Sequence, residues 1–260
     1  MYYLDEFWIE NGDPRVLGYP FLSTARPACL LLLSYLAFVF LLGPRFMATR
    51  PPYSLKLLML VYNITISLLN VFFFIRILLL HNFGLDSFQT DFPSLLDTSP
   101  PTQAIIQLHY FYVLSKFLDL LDTVFMVLRK KQAHVTALHV YHHISVPVES
   151  WIYFRLCATE CVAIPFALLN SFVHSIMYAY YGLATLGPQM QPYLTWKRYL
   201  TQLQIAQFIV IVLFSIYFLL NQRGYPLYFP LNMLLQSALY IILFTRFYLN
   251  TYTKTTAKSD

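Results

Sequence analysis

Seven stretches of this chain approach the roughly 20 mainly apolar residues that a helix needs to cross a bilayer. They lie near 27–43, 55–80, 104–128, 136–155, 161–186, 203–220 and 230–249. The first is short and bounded by Pro27 and Pro44, whereas the third and fourth contain charges and histidines. Between the stretches the charges alternate in sign. The N-terminus is acidic (Asp5, Glu6, Glu10, Asp13), the first loop has Arg45, Arg50 and Lys56, and the second has Asp86, Asp91 and Asp97 without Lys or Arg. The third loop carries Arg129, Lys130 and Lys131, the fourth is mixed (Arg155, Glu160), the fifth has Lys197 and Arg198, and the sixth has only Arg223. Arg246, Lys254 and Lys258 mark the C-terminus. Basic loops stay on the cytosolic side, so the pattern predicts an all-α integral membrane protein with seven transmembrane helices, its N-terminus outside or lumenal and its C-terminus cytosolic.

Composition supports the bilayer as solvent. The 260 residues are 58% hydrophobic and 11% charged, against roughly 25% charged in a soluble domain. The 21 Tyr and 23 Phe exceed what helix packing needs, and some are expected to line an apolar cavity or the membrane interfaces. The net charge of +5 comes from short clusters between apolar runs, which fits membrane orientation and gives no basis for nucleic-acid binding. Cys29, Cys157 and Cys161 form no CxxC pair and read as packing residues. The acidic residues of Met1 to Pro14 are unlike a cleavable signal, so targeting rests on the first helix. With no repeat or linker, residues 1–260 read as one polytopic domain. The sequon Asn63-Ile64-Thr65 falls inside the second apolar run, out of reach of glycosylation.

A charged side chain in a membrane helix costs about 2.5–3.5 kcal/mol on insertion scales, which makes each a functional candidate. The third stretch holds Lys116, Asp119 and Asp122, followed by Thr123. On a continuous helix these fall within roughly a 120° arc; the plainer alternative is that Lys116 and Asp119 neutralise each other. In the fourth stretch His139, His142 and His143 sit at i, i+3, i+4, which places three imidazoles on one surface. Such a cluster can bind metal, move protons or supply a nucleophile. Asn170, His174, Met177, Tyr178 and Tyr181 form a further stripe, readable also as packing with a polar spine. Thr201, Gln204 and Gln207 open the sixth stretch, where an ordinary interfacial cap is the stronger alternative. These groups gather near the basic loops, giving a buried centre beneath a basic rim, suited to a substrate with an anionic head and an apolar tail.

Four ordered motifs carry a resemblance: Lys116-x-x-Asp119-x-x-Asp122-Thr123, then His139-x-x-His142-His143, then Asn170-x-x-x-His174-x-x-Met177-Tyr178-x-Tyr180-Tyr181, then Thr201-x-x-Gln204-x-x-Gln207, with Arg50-Pro51 and Tyr62-Asn63 upstream. Together they resemble the very-long-chain fatty-acid elongases, the ELO family of 3-ketoacyl-CoA synthases, over nearly the whole chain. One departure is Asp119, where the family usually has Glu. The resemblance implies a ring of helices around a closed-ended acyl tunnel in the endoplasmic reticulum membrane. It implies condensation of a long acyl-CoA with malonyl-CoA to 3-ketoacyl-CoA, CO2 and CoA. The acyl-imidazole intermediate would form on His142, a neutral imidazole being able to attack a thioester. His174 and Asn170 would serve the CoA thioester or malonyl group, His139 and His143 would tune or shuttle protons, and Asp122 would fix an imidazole tautomer. Lys116, Asp119, Lys130, Lys131, Tyr178, Tyr181, Lys197, Arg198 and Gln204 would contact substrate. No metal or other cofactor is expected. The implied partners are the ketoacyl reductase, dehydratase and enoyl reductase of the same cycle, membrane lipid, and a second copy of the chain.

Rival readings remain at this level. A di-iron desaturase or hydroxylase also uses HxxHH, but His81, His109 and His134 make no second box among the seven histidines. A seven-helix receptor shares the topology, though neither DRY nor NPxxY occurs, and a transporter would also explain intramembrane charges.

Overall fold

The structure, a computed structural model, describes residues 1–253. The C-terminal Lys254 and Lys258 lie outside the described residues. Apart from an isolated bridge between Asp91 and Arg223, the described residues form no strand. The helices are α1 (Glu6–Asn11), α2 (Ala25–Met47), α3 (Lys56–Leu80), α4 (Pro100–Leu118), α5 (Leu121–Leu128), α6 (Ala137–Leu156), α7 (Ile164–Thr185), α8 (Lys197–Asn221) and α9 (Tyr228–Tyr248). Each of the seven apolar stretches is therefore helical. Four helices are long and apolar enough by themselves to cross a membrane: Ala25–Met47, Lys56–Leu80, Lys197–Asn221 and Tyr228–Thr253.

Two boundaries differ from the sequence expectation. Pro44 does not end the first helix, which runs on to Met47. A π turn over Phe38–Leu42 precedes it, and such a turn absorbs the backbone mismatch that an internal proline creates. Gly43 is needed beside that turn, because a Cβ there would lie 2.6 Å from the Phe38 carbonyl oxygen and 2.7 Å from a Val127 methyl. The third stretch, expected as one helix, is broken into α4 and α5 by a turn at Asp119 and Leu120. Leu120 N–H donates to Phe117 O at 3.3 Å and Asp122 N–H to Asp119 O at 3.3 Å, so the chain tightens to three-residue spacing at this point.

The chain forms two compact units. The first comprises Met1–Leu55 with Pro93–Glu160. In it Phe117, Leu120, Trp151, Phe154 and the α2 residues Tyr35 and Val39 share one apolar cluster. Its N-terminal segment is tied to the end of α6 by buried charge. The Asp13 carboxylate accepts from Arg15 Nη2 at 2.7 Å, Arg15 Nε at 2.9 Å and the Ala158 N–H at 3.1 Å. Arg155, fully buried, donates to the carbonyls of Asp13 (2.7 Å), Ser23 (2.9 Å) and Trp8. Asp13 is thus more than an orientation signal. Cys157, just past α6, is also buried, and burial pushes its thiol up to about 12, the inert state of a packing cysteine.

The second unit comprises Lys56–Phe92 and the residues from Cys161 onward. Here α3 and α7 run antiparallel: Phe74 meets Phe172 at 5.5 Å between ring centroids, Ser67 Oγ donates to Ser175 O at 2.8 Å, and Gly182 lies opposite Asn63. Asn63, Asn70 and Ser171 are all buried in their helices, as expected where small and polar residues let membrane helices approach closely. The buried Asn63 fits the reading of its sequon as unreachable. Along α8 and α9, Phe208 stacks on Tyr240 at 4.9 Å and Gln202 Nε2 donates to Tyr248 Oη at 2.9 Å.

Replacing Asp13 by Ala leaves the Arg15 guanidinium buried without its carboxylate, a loss of about 3–5 kcal/mol. The Tm of the detergent-purified variant is expected to fall clearly, with Arg15→Ala adding little in the double variant. An unchanged Tm contradicts the clamp.

Candidate functional site

The first unit holds the histidine box. Thr136 caps α6, its Oγ1 accepting from His139 N–H at 3.2 Å, so the box begins in the first turn of a well-started helix. His139 and His143 lie one turn apart with ring centroids 4.2 Å apart, and His142 meets His143 edge to face at 5.7 Å. All three rings are partly buried. His139 is held from outside its own helix: Thr123 Oγ1 shares a hydrogen bond with His139 Nε2 at 2.9 Å, and Tyr35 Oη shares one with Thr123 Oγ1 at 2.8 Å. A hydroxyl chain of this kind holds the orientation of the ring. Asp122 opens α5 one residue before Thr123.

The charges of the third stretch resolve differently from their sequence reading. Lys116 is 1% exposed, and its Nζ lies 3.3 Å from Asp119 Oδ2 and over the Tyr112 ring at 4.9 Å. The plainer alternative, mutual neutralisation, describes these two residues. Because the backbone tightens at Asp119, the even arc expected of a continuous helix is lost. Lys116, Asp119 and Thr123 are buried, while Asp122 is only partly so. Lys131 is exposed in the turn before α6, and Lys130, at a positive φ of 54°, reaches the Ala48 carbonyl at 3.5 Å.

The second unit holds the α7 stripe. Asn170 and Tyr178 are fully buried and His174 nearly so, whereas Tyr181 is 39% exposed. His174 and Tyr178 rings stand 5.8 Å apart, with Tyr62 of α3 6.0 Å beyond Tyr178. Gln204 Nε2 meets Met177 Sδ at 3.4 Å, so this α8 residue packs on the stripe, and Thr201 and Gln207 are buried. Lys197 and Arg198 are exposed at the start of α8, with Arg198 over the Tyr199 ring at 4.7 Å.

Among the described residues no three His, Cys, Asp or Glu side chains are grouped to hold a metal ion. The sequence model of the ELO: GNS1/SUR4 family matches residues 20–260. The chain belongs to this family. Similar proteins include human very long chain fatty acid elongase 1, 34% identical over 248 residues that cover 95% of this chain and 88% of the relative. Rat very long chain fatty acid elongase 7 is 36% identical over 255 residues, covering 95% and 88%. Human very long chain fatty acid elongase 4 is 36% identical over 246 residues, covering 93% and 76%. With its long apolar helices, the chain is a multi-pass membrane protein of the ELO family.

Two residues of interest went unmarked in the sequence. Tyr35 gives no local signal, since a tyrosine in an apolar run is ordinary; only the packing of α2 against α5 brings it to Thr123. Glu149 gives a clear one, being an acid inside an apolar stretch seven residues after His142.

Thr123→Val and Tyr35→Phe each remove one link of the relay. Each is expected to slow fatty-acid elongation by about tenfold, the worth of one hydrogen bond. Because both act through His139, the double variant is expected to be scarcely worse than Thr123→Val alone. Independent, multiplying effects in the same assay contradict a shared chain.

Proposed function

We propose that this protein catalyses the first, condensing step of very-long-chain fatty-acid elongation, joining a long acyl-CoA to malonyl-CoA to give 3-ketoacyl-CoA, CO2 and CoA. Family membership supports elongation. The observation that carries the condensing chemistry is a histidine box with His139 oriented by Thr123 and Tyr35.

In this reading the neutral His142 ring attacks the thioester carbon. The CoA thiolate leaves and takes a proton, and the acyl group rests on the imidazole. An acyl-imidazole is itself a good acyl donor. Loss of CO2 from malonyl-CoA leaves an enolate whose carbon attacks the acyl carbonyl, and His142 departs as the free imidazole. Neither stage needs a metal or another cofactor. His139 and His143 carry protons to and from the leaving groups, with Asp122 supporting the box. His174, with Asn170 one turn before it on α7, handles malonyl-CoA. Exposed Lys131, Lys197 and Arg198 suit CoA phosphates. The buried Lys116–Asp119 pair braces the turn between α4 and α5. The shorter Asp119 closes this pair without the extra methylene of a glutamate.

The same reading takes all seven helical stretches as spans, with the N-terminus lumenal, around an acyl tunnel in the endoplasmic reticulum membrane. The reductases and dehydratase of the cycle act on the product there, and a homodimer is part of the proposal.

Purified protein supplied with long acyl-CoA and labelled malonyl-CoA is expected to yield labelled 3-ketoacyl-CoA. His142→Ala is expected to lower the rate by about a thousandfold or more with an unchanged Tm. Wild-type protein that forms no product from several chain lengths overturns the function, and near-normal activity in the variant removes His142 from the chemistry.

A further inference from the structure

The proposed chemistry leaves one ionisable side chain of α6 unused. Glu149 sits in the middle of this helix, where its Oε1 is fully buried and meets no hydrogen-bond partner among the described residues. Two buried charges of the same unit are matched: Lys116 pairs with Asp119, and Arg155 holds three carbonyls. A buried acceptor without a partner is destabilising. An acid inside a membrane helix marks function by default, its partner being the thing to name.

Helix geometry places this oxygen with respect to the nucleophile. At 100° per residue, His142, Val146, Glu149 and Tyr153 fall within about 60° of one another, and Glu149 is only about 20° from His142. Trp151 and Phe154, which enter the unit's apolar cluster, and Ile144, which packs against it, point about 140–160° away from Glu149. The face shared by His142 and Glu149 is therefore turned from that cluster, yet Val146 and Tyr153 on it are 4% and 3% exposed. Seven residues advance roughly 10.5 Å along the axis, in the direction leading away from the basic turn Arg129-Lys130-Lys131. An acyl chain whose thioester lies at His142 and whose CoA head lies toward that turn must extend its tail this way.

We propose that Glu149 is a specificity-determining residue that takes an acyl chain bearing a hydroxyl group in mid-chain, roughly 10 Å from the thioester carbon, the hydroxyl donating to Oε1. This rests on the assignment of His142 as the site of the thioester. A wholly saturated tail leaves Oε1 unpaired, and a site with a buried acceptor discriminates against the analogue that lacks the donor.

The test compares stearoyl-CoA, 10-hydroxystearoyl-CoA and, as a positional control, 2-hydroxystearoyl-CoA. It reads both dissociation constants and the kcat/KM of condensation with malonyl-CoA, in the wild type, Glu149→Leu and Glu149→Gln. The wild type is expected to favour the 10-hydroxy chain over stearoyl by about tenfold, the effect of one satisfied buried acceptor. Glu149→Leu should reverse that preference without changing the handling of the 2-hydroxy chain. Glu149→Gln, which keeps an acceptor oxygen, should retain part of it. A wild type without the preference, or a Glu149→Leu protein with the same ratio as the wild type, overturns the proposal. Binding ratios that behave as expected while no condensation occurs uphold Glu149 and overturn the condensing chemistry instead.

Discussion

A bilayer interior supplies no water to a stranded donor or acceptor, so every polar group placed there must find its partner within the protein or in a ligand. The architecture follows from this constraint. The backbone is almost wholly helical, and the polar side chains meet one another across helices. Ser67 reaches the Ser175 carbonyl, Lys116 closes on Asp119, and Tyr35 and Thr123 form a hydroxyl chain ending on His139. Where the chain leaves α6, the same rule produces the Asp13, Arg15 and Arg155 cluster, whose charges are buried only because carboxylate and carbonyl oxygens surround them.

The helical stretches were legible because apolar runs of near-spanning length are a strong and redundant signal. The histidine box was legible too, since i, i+3, i+4 spacing needs nothing beyond helix geometry. What escaped were features set by packing at a distance. Pro44 is read locally as a stop, and only the π turn before it lets the helix continue. Leu118 to Leu121 offers no breaker, yet the Lys116–Asp119 contact accompanies a tightened turn in that segment. Tyr35 and Thr123 are 88 residues apart, and no periodicity joins them. Asp13 was read for its sign alone, although its partners are Arg15 and the backbone of Ala158.

The account of function has the same form. The histidine box at the head of α6 has one ring, His139, held by hydroxyls from other helices, and the same helix carries Glu149 about two turns beyond His142. In the proposed chemistry, one element thus carries both the acyl-transfer centre and a group able to read the acyl tail. The chemistry asks little beyond a correctly presented neutral ring, a dry setting and a proton path, which fits a box built from histidine with hydroxyl support.

The covalent step is the centre of this account, and the most direct measurement uses one substrate only. Purified protein is incubated with a long acyl-CoA in the absence of malonyl-CoA, free CoA is quantified, and peptides are mapped by mass. The account predicts release of CoA together with an acyl group on His142. Absence of any adduct, while added malonyl-CoA is still converted to 3-ketoacyl-CoA, would contradict it.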